Sequence, residues 1–250
     1  MPSLSLQKKY NGQVLAIVEG GRSHGMYLTV QDTPGPSRID LDSGHFVQEP
    51  SHDPDTRLVA TYQGPSGSGK STVILGVCQR YHKLFPSRPI VILSRLSDPD
   101  DALSQDWIHR IRLDSLKEKQ FDLSEFHNGG CVIVDDVDGV DSDTDKKIQE
   151  LITLIASQGR HYRITLLWSS HNLTNFSKTR LILQEAMSYC IFPHASSFHQ
   201  IRYLLSSYCG MDKKEISLIR KLPSRWAICT RRYPPCVFSE NQAFLIHAIE

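Results

Sequence analysis

The tightest constraint on this chain is a short run: Gly64-Pro65-Ser66-Gly67-Ser68-Gly69-Lys70-Ser71-Thr72. It matches G-x-x-x-x-G-K-[ST], the phosphate-cradling P-loop. Glycines here let the backbone take angles that a Cβ hinders. Backbone N–H groups then turn inward on phosphate oxygens, and the N-terminus of the next helix points at the same anion. Lys70 supplies a flexible point charge for the β- and γ-phosphates. The Ser71 hydroxyl is placed to ligate Mg2+. Leu58-Val59-Ala60-Thr61-Tyr62 reads as a short buried strand before the loop. Val73, Ile74, Val77, Tyr81 and Leu84 follow at helical spacing. A chance Gly/Ser turn is the bland alternative, and strand before with helix after argues against it. The whole loop, Gly64 to Thr72, is therefore the candidate binding site for ATP.

A second motif lies about 65 residues beyond Lys70. Cys131-Val132-Ile133-Val134-Asp135-Asp136 is an apolar strand running into paired carboxylates, the Walker B pattern. Asp135 sits where the strand ends, near the Mg2+ shell of Ser71. Asp136 is the candidate that polarises the attacking water. The acidic loop from Asp138 to Asp145 lacks the Gly and terminal Glu of an EF-hand and reads as a solvated helix cap. Ile148, Leu151, Ile152 and Ile155 then form a helical stripe that stops near Gly159. Ile164-Thr165-Leu166-Leu167-Trp168 is another buried strand and delivers Ser169, Ser170, His171 and Asn172 at its end. In P-loop ATPases that carry a catalytic carboxylate after Walker B, an extra strand separates the P-loop and Walker B strands. A polar residue at its tip reaches the γ-phosphate. Ser170 is the candidate for that sensor, with Ser169, His171 and Asn172 as alternates. His171 as a general base has no nucleophile at the spacing such a pair needs.

Ile90-Val91-Ile92-Leu93 and Tyr189-Cys190-Ile191-Phe192 are further apolar strands of the sort found inside a parallel sheet. Trp107, Ile108, Ile111 and Leu116 read as a helix packed on that sheet. Phe198 to Tyr208 and Asp212 to Lys221 read as helices, and Arg225 to Thr230 with Cys236-Val237-Phe238 as a hairpin around Pro234-Pro235. Ahead of the P-loop, Val14 to Val18 and Met26 to Val30 are strand-like, and Asp32 to Arg57 reads as a partly ordered linker. The expectation is an α/β chain: a β-rich extension over residues 1–57, and a P-loop domain over 58–250 with a mostly parallel sheet flanked by helices.

At 250 residues the chain has room for one substantial domain and a small appendage. No apolar run approaches the roughly 18 residues of a membrane span, and the start lacks a signal-peptide pattern. Six cysteines without a C-x-x-C pair point to free thiols in an intracellular reducing compartment. Net charge is only +1 but is split: residues 98–150 hold 15 acidic against 6 basic residues, and residues 151–250 hold 12 basic against 5 acidic. Such a split suits a polyanion-binding face, head-to-tail pairing of subunits, or plain solvated helices.

The layout resembles the genome-packaging ATPases of poxviruses and related large DNA viruses, in the FtsK–HerA superfamily. The likeness rests on Gly64–Thr72 with Asp135-Asp136 at family spacing, on Ser157-Gln158-Gly159-Arg160-His161, and on the tail Arg225-Trp226-Ala227-Ile228-Cys229. It covers roughly residues 55–246. It departs where the family often has a Gln sensor and Ser169-Ser170 stands here, and residues 1–57 have no counterpart. The resemblance implies a RecA-like core in a homo-oligomeric ring that drives double-stranded DNA into a preformed capsid. It also implies capsid proteins as partners, and residence at the site of virion assembly and in the virion. Arg160, by motif and by a loop near the strand tips, is the candidate trans-acting arginine, with Arg180, Arg202 and Arg225 as alternatives. Two rivals stand beside the motor: a P-loop nucleotide or small-molecule kinase, and a non-motor nucleotide-binding assembly protein.

Overall fold

In a computed structural model, residues 2–10, 12–95, 102–113, 115–118, 121–137, 139–173 and 176–246 are described. Of the acidic segment, Asp98, Asp100, Asp101, Asp114 and Asp138 lie outside them. The chain divides into two compact units, Ser51–Ala186 and the pair of segments Met1–Pro50 and Met187–Glu250. The sequence reading set a single boundary at residue 57, whereas residues 187–250 are grouped with the amino-terminal segment.

The amino-terminal segment holds β1 (Ser3–Gln7), β2 (Gln13–Glu19), β3 (Tyr27–Gln31), β4 (Arg38–Asp40) and β5 (His45–Gln48). Between residues 51 and 186 run β6 (Val59–Gln63), α1 (Lys70–Leu84), β7 (Ile90–Ser94), β8 (Ile108–Arg112), the short α2 (Ser115–Glu118), β9 (Gly130–Asp135), α3 (Ser142–Gln158), β10 (Ile164–Ser170) and α4 (Phe176–Glu185). The chain ends with β11 (Ser188–Ile191), α5 (Phe198–Cys209), α6 (Lys213–Lys221), β12 (Ala227–Thr230), β13 (Cys236–Ser239) and β14 (Gln242–Leu245).

In the unit Ser51–Ala186 the strands lie in the order β6-β10-β9-β7-β8, with every neighbouring pair parallel. All residues of β6, β7, β9 and β10 are buried. That is why these strands read as unbroken apolar runs rather than alternating ones. β8 corrects an expectation, because the segment read as helical forms a strand paired with β7 from Ile90↔Ile108 to Ser94↔Arg112. Its polar residues His109, Arg110 and Arg112 blur the period by which a strand announces itself. Trp107 stacks on His82 of α1 at 4.9 Å. Asp141 caps α3, accepting from Thr144 N at 3.2 Å and from its hydroxyl at 2.7 Å.

The far end of α3 is closed by an arginine. Arg57, 8% exposed, donates from Nη1 to Ile155 O at 2.7 Å and from Nη2 to Ala156 O at 2.8 Å. Helix-terminal carbonyls run short of intrahelical donors: Ile155 O also accepts from Gly159 N at 2.8 Å, and Arg57 adds a second donor there and one at Ala156 O. Burial pulls the guanidinium below its ordinary value, and Arg57 stays charged because that value starts so high. A Cβ on Gly159 would stand 2.4 Å from Ile155 O and 2.7 Å from Arg57 Nη1, so glycine leaves the room in which Arg57 docks.

In the other unit, β1-β3-β2-β5 form one antiparallel set and β4-β14-β13-β12-β11 a second. β4 and β5 fall inside the segment expected to be linker. Their partners explain the difference: β4 pairs with β14 about two hundred positions later (Ala243↔Ile39), and β5 with β2. The strand expected at 189–192 is β11, which pairs antiparallel with β12. The expected hairpin is present, closing at Thr230↔Cys236. Arg231 and Arg232 follow β12. Arg231 donates to Tyr189 OH at 3.1 Å, and Arg232 is half-buried with Nη2 3.1 Å from Met187 Sδ. All six cysteines are free thiols, five of them buried. Burial raises the Cys131 and Cys190 thiols well above their ordinary value, which makes them packing groups rather than nucleophiles. Among the described residues no helix is long and apolar enough to cross a membrane.

Replacing Arg57 by alanine should lower unfolding stability by about 1–3 kcal/mol, because Ala156 O loses a charged donor while Ile155 O keeps the N–H of Gly159. Urea denaturation measures this, and an unchanged midpoint would show that water replaces the guanidinium at no cost.

Candidate functional site

The P-loop leaves β6 at Gln63 and enters α1 at Lys70. Gly67 has φ 72° and Gly69 φ 105°, angles at which an L side chain is strained. A Cβ on Gly67 would meet nothing within 4 Å, so backbone angle rather than space demands that glycine. Pro65, Ser66, Ser68, Ser71 and Thr72 fill the rest of the turn and the first turn of α1. Lys70 is 8% exposed and folds back over its own loop, donating from Nζ to Gly64 O at 2.7 Å and Pro65 O at 3.1 Å.

β10 lies directly between β6 and β9, with Ser170↔Gln63 on one side and Trp168↔Val134 on the other. The strand order expected from sequence is therefore present. It delivers the tip of β10 to the root of the P-loop. Gly64 N donates to Ser170 O at 3.1 Å, and Gln63 Nε2, fully buried, donates to Leu173 O at 2.7 Å. Ser170 Oγ is turned to its own loop, accepting from Asn172 N at 3.1 Å. Ser169 is buried, and its hydroxyl has no hydrogen-bond partner among the described residues.

Between those two ties lie His171 and Asn172, and His171 carries the contacts. Its Nδ1 lies 3.4 Å from Lys70 Nζ, and its Nε2 lies 2.8 Å from Asp136 Oδ1. One ring thus touches the P-loop lysine and the second Walker B carboxylate. Asp135 ends β9 and is 3% exposed. Asp136, next in line, takes the left-handed conformation at φ 48°. The backbone turns at that point and lets the side chain leave the line of the strand.

Arg160 is not brought to this cluster. It precedes β10 at the opposite end of the sheet, in the turn where Ile164 N donates to Gly159 O. The length of β10, seven residues, puts it about 20 Å from the P-loop end. The expectation of a loop near the P-loop tips fails because α3 returns the chain to the amino ends of the strands. Arg95 does stand at the carboxyl end, one residue past β7, with Nη1 3.4 Å from Gly139 O. Sequence reading passed over Arg95 and Gln63. Each sits at or just beyond the last residue of an apolar strand, which is the signal that was available.

No protein-family model matches the sequence. An uncharacterized protein, V3, of Sputnik virophage is 30% identical over 245 residues, covering 96% of this chain and 97% of V3. The chain belongs to the V3 family. Among solved structures, the cytoplasmic domain of the Thermomonospora curvata type VII secretion ATPase EccC superposes on this V3-family chain with a TM-score of 0.54 at 12% identity. The match covers 87% of this chain and 30% of that one. It shows a shared P-loop NTPase fold. B204, the DNA-packaging ATPase of Sulfolobus turreted icosahedral virus, matches with a TM-score of 0.49 at 13% identity, over 79% of this chain and all of B204.

The left-handed backbone at Asp136 gives a stability test of the site in this V3-family protein. Asparagine tolerates that conformation and alanine does not. Asp136→Ala should therefore be about 1 kcal/mol less stable than Asp136→Asn. Equal urea midpoints for the two would mean that the turn is not held.

Proposed function

We propose that this V3-family protein is an Mg2+-dependent, ATP-hydrolysing motor that translocates double-stranded DNA and packages a viral genome into a capsid. The observation that carries the reading is the place of β10 between the P-loop strand and the Walker B strand. A kinase of P-loop type would have those two strands side by side. With β10 inserted, its polar tip comes within reach of both Lys70 and Asp136, as hydrolysis of a bound triphosphate requires.

In this reading the loop from Gly64 to Thr72 cradles the phosphates through N–H groups beyond Pro65, since Gly64 N is spent on Ser170 O, and Lys70 leaves its loop carbonyls to neutralise the β- and γ-oxygens. Asp136 orients water and takes its proton. Ser71 and the buried Asp135 would hold Mg2+. A hydroxyl and a carboxylate are the oxygen donors that suit this ion, which fills the rest of its shell with phosphate and water. When bound, the ion neutralises charge on the phosphates. Arg160, remote from its own P-loop, is the group offered to a neighbouring copy in a ring.

DNA engagement draws on the split-unit segment from α5 to α6. Residues 198–225 hold six Lys or Arg against two Asp or Glu. Both carboxylates are committed locally: Asp212 accepts from Glu215 N at 2.8 Å, and Glu215 accepts from Asp212 N at 2.9 Å, a reciprocal cap on α6. Arg202, Lys213, Lys214, Arg220, Lys221 and Arg225 are exposed, and Arg220 covers the Phe198 ring at 4.5 Å. Capsid proteins and the site of virion assembly belong to the same reading, through the viral relative.

Lys70→Ala should abolish ATP turnover, because the backbone cradle cannot replace the lost charge. Asp136→Asn should still bind Mg·ATP and hydrolyse it at least roughly tenfold more slowly. Unchanged hydrolysis by the Lys70 variant would sink the P-loop reading.

Added double-stranded DNA should raise the ATPase rate regardless of sequence, with the stimulation fading as salt rises, since phosphate contacts dominate such binding. An oligomeric, ATP-hydrolysing preparation that ignores DNA would favour the nucleotide-switch alternative.

A further inference from the structure

We propose that His171 is a positioning residue for ATP hydrolysis: it ties the Lys70 ammonium to the Asp136 carboxylate and aims that carboxylate at water. The role rests on the ATPase reading above. Its geometry does not.

An ammonium has only donors, so the ring nitrogen facing Lys70 Nζ, Nδ1 at 3.4 Å, carries the lone pair. The proton is then on Nε2, which donates to Asp136 Oδ1 at 2.8 Å. That bond holds one carboxylate oxygen and leaves Oδ2 as the base. Asp136 needs such a hold. It sits past the end of β9 in a left-handed turn, its side chain 21% exposed, where the ladder no longer directs it. His171 can supply the hold because its own position is over-determined. The residue before it is tied to the P-loop root through Ser170 O, and the second residue after it through Leu173 O to the buried Gln63.

The same ring links the two events of the reaction. Lys70 carries three N–H donors, and Gly64 O, Pro65 O and His171 Nδ1 lie around its Nζ. A triphosphate arriving in the loop competes with all three. Withdrawal of Lys70 toward phosphate releases Nδ1 while Nε2 keeps its hold on Asp136. Loading of the P-loop thereby reaches the base through a single side chain. Ser170, whose hydroxyl closes its own loop, does not share the role.

Three variants test this. His171→Ala should lower kcat on the order of tenfold or more while the KM for ATP shifts by less than about threefold, since misaimed carboxylates lose rate rather than binding. His171→Gln, which offers an acceptor and a donor on one amide, should recover most of the rate. In an Asp136→Asn background, followed by single-turnover hydrolysis, adding His171→Ala should change little, because two residues acting through one contact are not additive. An independent readout is the 15N spectrum of the His171 ring in the nucleotide-free protein, which should show the proton on Nε2. A full rate in His171→Ala, no recovery in His171→Gln, additive losses in the double variant, or a proton on Nδ1 would each overturn the proposal. Turnover that survives Lys70→Ala would instead overturn the P-loop reading on which the role rests and leave the Nε2 tautomer to be judged on its own.

Discussion

Two hydrogen bonds hold the rest of the site in place: Gly64 N to Ser170 O at 3.1 Å and Gln63 Nε2 to Leu173 O at 2.7 Å. Both run from the root of the P-loop to the segment that follows β10, and both lie at the carboxyl end of a buried parallel sheet. A buried amide that loses its partner costs about 1–3 kcal/mol, so the two bonds resist fraying together. What they secure is a short stretch, Ser170 to Leu173, whose third and fourth atoms of interest are the nitrogens of His171. Without that stretch the P-loop would still form, since its glycines and α1 are local. It would lose the link that His171 makes from Lys70 to Asp136.

Much of this was legible in the residues. The P-loop and the four buried parallel strands follow from apolar runs placed around one motif, whereas the insertion of β10 was expected from the arrangement of P-loop ATPases with a catalytic carboxylate after Walker B. Partner choice over long distances was less legible. Arg38-Ile39-Asp40 carries no strand signal of its own, and it is a strand because Gln242–Leu245 comes to pair with it. β8 was misread because His109, Arg110 and Arg112 interrupt its apolar positions, and an edge strand tolerates that. In the site, Ser170 was preferred to His171 on position alone. The hydrogen bond that turns its hydroxyl toward Asn172 depends on backbone geometry that no spacing rule reports.

The split unit follows a different logic from the P-loop unit. Its strands are antiparallel, and its aromatic contacts join distant segments: Phe46 meets Phe238 edge-on at 6.5 Å, and Trp226 meets Phe238 at 6.2 Å. Phe46 and Phe238 are fully buried. Each such ring hides a large apolar area, worth roughly 1.5–3 kcal/mol of transfer free energy. That is enough to recruit the amino-terminal segment, so residues 1–50 are part of a core rather than a tail. This also accounts for why the domain edge could not be read at residue 57: the cohesion there comes from residues nearly two hundred positions away.

Adjacent carboxylates at the end of β9 pose an electrostatic problem that the backbone answers. Two like charges about 6 Å apart repel by roughly 3 kcal/mol at an effective dielectric near 20. On a regular strand, successive side chains point to opposite faces, which would send Asp136 away from the P-loop if Asp135 faced it. The left-handed turn at φ 48° breaks that alternation. Asp135 stays buried within the strand, while Asp136 swings out to meet an N–H donor on His171. The donor offsets part of the repulsion, and the ammonium behind it adds to the effect through the shared ring. Two identical residues in sequence thus receive different surroundings one bond apart. In the proposed reading, that difference is what lets one hold a cation while the other acts on water.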